Sequence, residues 1–149
     1  NILAIMILPF FGKLLGKIDP RKFAVITFSS MLLYILALAL TQYFPVFIDL
    51  WNIKIYYMML AYILFHSVFA ATMSLLWFIG SAYFGKDKDA GDLQAVHLSL
   101  TGIRAAFAPL VGIIFYQLFG YTITFGIAIL CLFIAVLLMI WSYRRRKIG

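Results

Sequence analysis

Acidic residues, cysteine and formal charge are scarce in this sequence. It contains no Glu, five Asp and one Cys, and charged residues make up 11% of its 149 residues. Hydrolases and transferases usually need carboxylates, His clusters or metal ligands, and no Gly-Lys-Ser/Thr, His-Glu-x-x-His or Cys-x-x-Cys pattern occurs. The single thiol, Cys131, lies in an apolar run and excludes a disulfide framework. The sequence therefore predicts a protein that is not an enzyme and has no cofactor and no metal site.

Apolar residues dominate what is present. They form 66% of the chain, too many for the polar surface of a soluble domain. Charge-free runs reach the ~20 residues that cross ~30 Å of hydrocarbon as a helix. The prediction is an all-α, polytopic transmembrane helix bundle in a lipid bilayer, forming one partial domain over residues 1–149. The predicted helices cover residues 1–16, 23–43, 55–84, 97–118 and 122–143.

The opening apolar run is short for a membrane span. Residues 1–11 cross the hydrocarbon only if the helix continues into Leu14 and Leu15 or begins upstream of Asn1. We therefore expect the chain to be the C-terminal part of something longer.

The basic residues predict the orientation in the membrane. The net charge is +7, and ten of the twelve Lys and Arg residues lie in three segments, 13–22, 86–88 and 144–147. Short loops rich in Lys and Arg stay on the cytoplasmic side, so this charge indicates topology rather than nucleic-acid binding. We expect a multi-pass protein of the cytoplasmic (inner or plasma) membrane with a cytoplasmic C-terminus. Residues 44–54 and 119–122 are then external connections, with Tyr43 and Trp51 as interfacial anchors.

Two motifs resemble transporters of the major facilitator superfamily. Gly12-Lys-Leu-Leu-Gly-Lys-Ile-Asp-Pro-Arg-Lys22 resembles the family's Gly-x-Leu-x-Asp-Arg-x-Gly-x-Arg-Lys loop. His97-Leu-Ser-Leu-Thr-Gly-Ile-Arg-Ala-Ala-Phe-Ala-Pro-Leu-Val-Gly112 resembles its penultimate helix. The loop departs from the family pattern, because Gly16 stands at the family's Asp, Lys17 at its basic position and Asp19 at its usual Gly. The acid-to-helix contact of the family is then either lost or made by Asp19 from a shifted position.

The resemblance implies a fold and a function for the chain. It corresponds to about the last four and a half of twelve helices of a secondary active transporter, which moves a small solute by alternating access. The implied partners are the missing N-terminal half of the same polypeptide and a small-molecule substrate, with or without a coupling proton or sodium ion. Gly12, Lys17, Asp19 and Arg21 would gate or stabilise the cytoplasmic side; the alternative is a plain basic loop.

Arg104 is the only charged residue inside the predicted helices 23–43, 55–84, 97–118 and 122–143. A central Arg costs ~2.5–3.5 kcal/mol on insertion scales, and no acidic residue lies inside the predicted spans. Three interpretations stay open: an ion or carbonyl contact near the cytoplasmic gate, snorkelling to the inner interface, or contact with an anionic substrate.

Small residues follow one face of the same predicted helix. Thr101, Ala105, Ala108 and Gly112 recur at spacings of three and four, which predicts close packing on a neighbouring helix. Pro109 predicts a bend there.

The predicted helix 55–84 carries the candidate substrate-binding face. Its stripe consists of Ser67, Ala70, Ser74, Trp77 and Ser81, at spacings of three and four. His66 lies one residue aside, near the midplane, where transporter sites lie. It can exchange a proton at physiological pH or serve as a hydrogen-bonded packing residue. We count His66, Ser67, Ser74, Trp77 and Arg104 as candidate substrate-binding residues.

Two rival functions remain open at this point. The chain could be a small polytopic membrane scaffold or assembly partner without transport activity. It could also belong to a membrane enzyme whose catalytic residues lie upstream. A matching basic loop upstream would favour the transporter over both.

Overall fold

The computed structural model describes residues 2–51, 53–84 and 90–145, without the side chains of residues 50, 78–84 and 90. These residues form helices α1 (Ile2–Leu15), α2 (Pro20–Leu40), α3 (Tyr57–Phe84) and α4 (Ala90–Arg145), with strands β1 (Phe47–Leu50) and β2 (Ile53–Tyr56) between α2 and α3. The prediction of a helical bundle is confirmed at the level of a mostly helical chain. Residues 85–89 and 146–149 are outside the described residues. The polar segment 86–92 and the basic tail 144–147 are therefore described only in part.

The basic segment between α1 and α2 is a short connection. α1 continues to Leu15 and α2 begins at Pro20, so only residues 16–19 are non-helical. The Asp19 Oδ1 atom accepts a hydrogen bond from the Arg21 backbone N–H at 2.7 Å, and Pro20 occupies the first helical position. Asp19 is thus an N-cap, and Pro20 stands where a missing N–H costs no hydrogen bond.

α2 and α3 run antiparallel and form the main helix pair. The Tyr34 ring of α2 contacts the rings of Tyr62, His66 and Phe69 along α3. α2 starts and ends three residues earlier in the chain than the predicted helix 23–43. α3 begins two residues after the predicted start at residue 55. Both helices are long and apolar enough to cross a membrane.

Residues 44–54, predicted to be an external connection, contain β1 and the first half of β2 of a β-hairpin. β1 pairs with β2 antiparallel, with Phe47 opposite Tyr56 and Asp49 opposite Lys54. The hairpin can form because Pro45 lies before β1 rather than inside a strand, and the residues on either side of Trp51 can pair as a two-stranded ladder. The hairpin lies at the end of α2 opposite the basic segment.

α4 contains both predicted C-terminal spans, 97–118 and 122–143. Its helical pattern is interrupted at Gly120, whose φ of 74° and ψ of −179° are non-helical. Before this point the His97 ring contacts Trp77 of α3; just after it, the Tyr121 hydroxyl donates to the Leu38 carbonyl oxygen at the far end of α2. The first half of α4 therefore spans the length of the bundle.

Small and hydroxyl-bearing residues occupy most of the buried positions among the described residues. Thr27, Ser30, Ser67 and Thr72 are buried, and each hydroxyl donates to the carbonyl four residues earlier in its own helix. Large apolar side chains are widely exposed. This arrangement, polar atoms satisfied inside and apolar groups outside, suits a helical protein in a lipid environment.

Candidate functional site

His66 lies in a cluster of rings between α2 and α3. Its imidazole stacks on Tyr62 with ring centroids 5.3 Å apart and meets Tyr34 edge-on at 5.3 Å. Phe69 completes the group at 6.5 Å. Such ring pairs contribute ~0.5–1.5 kcal/mol each beyond the area that they bury. The cluster of Tyr34, Tyr62, His66 and Phe69 therefore fixes the imidazole in place and ties α2 to α3.

The predicted serine stripe does not lie on one open face. Ser67 is fully buried, and its hydroxyl donates to the Ile63 carbonyl oxygen at 2.6 Å. Ser74 is exposed, and its hydroxyl donates to the Ala71 carbonyl at 2.9 Å. The side chain of Ser81 is outside the described residues. Ser67 thus belongs to helix packing in this structure, while Ser74 remains accessible.

Trp77 and His97 are brought together across α3 and α4. Their ring centroids are 4.8 Å apart in an edge-on arrangement. This contact fastens the first half of α4 to α3 near the end that carries the polar segment 86–92. The contact of Trp77 with His97 therefore links α3 to α4. The predicted role of Trp77 beside a ligand stays a prediction.

Arg104 lies on the least packed part of the chain. Every residue from Gly102 to Gly120 is exposed, Arg104 included. Among residues 2–51, 53–84 and 90–145, no side chain or backbone group makes a hydrogen bond or ion pair with the Arg104 guanidinium. The guanidinium is consequently open to whatever surrounds this half of α4.

The small-residue stripe lies on the same exposed helix. Ala105, Ala108 and Gly112 are exposed and Thr101 is half-buried, and a Cβ added at Gly112 would meet no atom within 4 Å. The close packing predicted for this face stays a prediction, because none of the described helices covers it. Pro109 lies within α4, whose non-helical dihedral angles fall at Gly120 instead.

The basic segment forms a shallow apolar cleft flanked by cations. The cleft has a volume of about 200 Å³ and is lined by Phe10, Lys13, Leu14 and Lys17. Gly12 lies inside α1 with open space beside it. Arg21 contributes its backbone N–H to the Asp19 cap, so the acidic residue of the segment bonds to the start of α2 rather than to a cation.

A larger open cavity lies at the hairpin end, where the sequence pointed to no site. It has a volume of about 550 Å³, and its lining residues come from α2, the connection that follows it, the hairpin and α4: Leu38, Thr41, Gln42, Pro45, Tyr56, Tyr116 and Tyr121. Tyr43 and Thr122 share a hydrogen bond of 2.7 Å across the same end. These groups are distant in sequence, so no local pattern could have joined them.

The ring cluster around His66 had a signal in the sequence. Tyr62, His66 and Phe69 recur at spacings of four and three, which place them on one helix face. The prediction of a substrate-binding face used the spacing of the serines on this helix and not the spacing of its aromatic rings. Within the described residues, no three His, Cys or acidic side chains lie close enough to hold a metal ion.

Comparisons with models of protein families, with curated proteins and with solved structures give no match to this chain. The resemblance to major facilitator transporters therefore rests on the two motifs and on the order of the helices.

Proposed function

We propose that this chain is part of a secondary active transporter similar to the major facilitator superfamily, which moves a small solute across the cytoplasmic membrane by alternating access. Two motifs in their family order support the proposal, together with helices long enough to cross a membrane. In this proposal the basic segments and the C-terminus face the cytoplasm, as their charge favours.

The observation that carries the proposal is the position of Arg104. It is exposed on a helix that is otherwise apolar, and no described residue neutralises it. Charged residues within membrane spans almost always face protein or a water-filled cavity, and they mark substrate or ion pathways. We infer that the missing N-terminal half of the transporter faces this side of α4 and that a water-filled path runs between the two.

The remaining site residues take roles consistent with that arrangement. Ser74, Trp77 and Arg104 border the path, and His66 exchanges a coupling proton from within its ring cluster. Ser67 supports His66 from a buried position, where it packs rather than binds solute. On the cytoplasmic side, the Asp19 cap holds the start of α2 and sets the loop that gates the path.

Uptake measurements test these roles. In the full polypeptide, Arg104→Ala and His66→Ala are expected to depress uptake of a radiolabelled solute found by screening sugars, amino acids and organic anions in proteoliposomes. Membrane insertion should be retained in both variants. His66→Phe is the matched control, because it keeps a ring against Tyr34 and Tyr62 but removes the imidazole nitrogens. Normal uptake and normal pH dependence in His66→Phe would remove the imidazole from the mechanism.

A second candidate is an assembly partner without transport activity. The exposed apolar half of α4, residues 102–120, favours it equally, because another membrane protein could cover this surface. The length of the natural polypeptide separates the two candidates. About seven further helices before Asn1, with a paired basic loop among them, support the transporter; a natural chain that starts near Asn1 supports the assembly partner.

A further inference from the structure

The β-hairpin has two chemically different faces. Residues paired directly across an antiparallel ladder point to the same face, and neighbours along a strand point to opposite faces. The register places Phe47, Asp49, Lys54 and Tyr56 on one face and Ile48, Ile53 and Ile55 on the other. The first face carries an acid, a base and two aromatic rings, and the Lys54 ammonium lies 4.8 Å from the centre of the Phe47 ring. The second face presents isoleucine alone at these positions.

The isoleucine face is only partly covered by the described part of the chain, with Ile55 half-buried and the other two isoleucines exposed. Ile48 is 45% exposed and Ile53 is 65% exposed, and Trp51 at the tip is 94% exposed. A two-stranded hairpin standing alone in water is marginally stable. An apolar face and a Trp at its tip therefore need an apolar or interfacial medium against them.

The position of the hairpin identifies that medium. It lies between α2, which ends at Leu40, and α3, which begins at Tyr57, and both helices are candidate membrane spans. Tyr43 and Tyr57, which flank the hairpin, are about half exposed. Tyr and Trp are enriched at membrane–water interfaces because one part of each ring system is apolar and another bonds to water.

We propose that the hairpin Phe47–Tyr56 is an interfacial membrane anchor, with its isoleucine face and Trp51 inserted between phospholipid headgroups and its Asp49–Lys54 face toward water. The phospholipid surface is the occupant that the composition fits, because the isoleucine face carries no charge and the opposite face carries Asp49 and Lys54, one of each sign, across the ladder from each other. The proposal goes beyond transport and does not depend on it, since it requires only that α2 and α3 span the membrane.

Spin labels on adjacent residues test the orientation. Ile53→Cys and Lys54→Cys, each in a background without Cys131 (Cys131→Ser) or other thiols, are labelled with a nitroxide in the full polypeptide and reconstituted in phosphatidylcholine vesicles. The proposal predicts that collisions with oxygen, relative to a water-soluble nickel chelate, are several-fold more frequent at residue 53 than at residue 54. Equal, nickel-dominated accessibility at both positions would overturn it, because the hairpin would then stand in water. Inaccessibility of residue 53 to both reagents would also overturn it, because protein would then cover the face.

Tryptophan fluorescence provides a second measurement without a cysteine in the hairpin. Trp77→Phe combined with Trp141→Phe leaves Trp51 as the only Trp of this chain, and any Trp elsewhere in the polypeptide is also replaced by Phe. Its emission should be quenched by phospholipids brominated near the headgroup and little by aqueous iodide. The matched control is Trp51→Phe with Trp77→Phe, which reports on Trp141 near the end of α4. Strong quenching by iodide without quenching by brominated lipid would contradict the anchor.

Discussion

Ser67 offers the sharpest contrast between a binding role and a packing role on α3. Its period with Ser74 predicts a shared ligand face, whereas the structure buries Ser67 fully and leaves Ser74 exposed. The two serines are seven residues apart on one helix, and each hydroxyl donates to a carbonyl of that helix. Ser67→Leu and Ser74→Leu therefore make the same chemical change at a buried and at an exposed position.

The expected magnitudes differ because only one site is packed. Leu adds volume that Ser67 has no room for, and overpacking a buried position costs ~1–3 kcal/mol. The substitution also removes the hydrogen bond from the Ser67 hydroxyl to the Ile63 carbonyl oxygen, an acceptor inside a regular helix. At Ser74 the substitution should change stability by less than ~0.5 kcal/mol, and in lipid Leu is itself favourable by ~0.3–0.6 kcal/mol. The predicted difference between the variants is about 2 kcal/mol, up to ~30-fold in the folded-to-unfolded ratio.

Denaturant titration of the purified polypeptide in mixed micelles, followed by helical circular dichroism, measures the difference. Ser67→Leu should unfold at a clearly lower denaturant concentration than the parent, and Ser74→Leu at about the same concentration as the parent. Equal stability of the two variants would refute the packing role and return Ser67 to an open face.

Three further changes are predicted to alter stability in the same titration. Phe23→Ala should lower the stability by ~3–5 kcal/mol because this ring is fully buried. Phe10→Ala, at a ring that is 66% exposed, should lower it far less. Similar losses of stability in the two variants would contradict the burial of Phe23. Gly120→Ala should lower the stability by ~1–3 kcal/mol, because φ 74° with ψ −179° is open to glycine alone. Gly126→Ala, inside the helix with open space beside it, should raise the stability by up to ~1 kcal/mol. Unchanged stability of Gly120→Ala would mean that the chain does not turn there. Asp19→Ala should cost ~0.5–2 kcal/mol through loss of the N-cap bond to Arg21, and Asp19→Asn should retain most of it; equal losses would point to charge rather than capping.

The helices were largely predictable from the sequence because charged residues and proline separate its long apolar runs. The basic residues up to Lys22 mark the start of the apolar stretch of α2, and Pro45 comes after its end. The boundary between the last two spans was also visible, as Gly120 occupies the middle of the predicted turn 119–122. The hairpin was missed because Trp51 takes a positive φ of 52° at its turn, a conformation for which Gly or Asn is the usual signal.

The candidate site was predictable only where one helix carries it. Spacing placed His66 and Ser67 on neighbouring faces of α3, but spacing cannot tell which face meets α2. The structure puts His66 against Tyr34 and buries Ser67, and the contact of Trp77 with His97 joins residues twenty positions apart. Contacts between elements depend on how the helices dock, and a single sequence holds no local signal for that.

The accessibility of residue 104 to water tests the central claim most directly. Arg104→Cys and Ala106→Cys, each with Cys131→Ser and no other reactive thiol, place a thiol on roughly opposite faces of the same turn, since two residues advance a helix by ~200°. Sealed vesicles with the full polypeptide are treated with a membrane-impermeant thiol reagent on each side in turn. A transporter with a water-filled path along Arg104 predicts modification at residue 104 and none at residue 106. An unreactive residue 104 from both sides, or equal reaction at both residues, would contradict the proposed path.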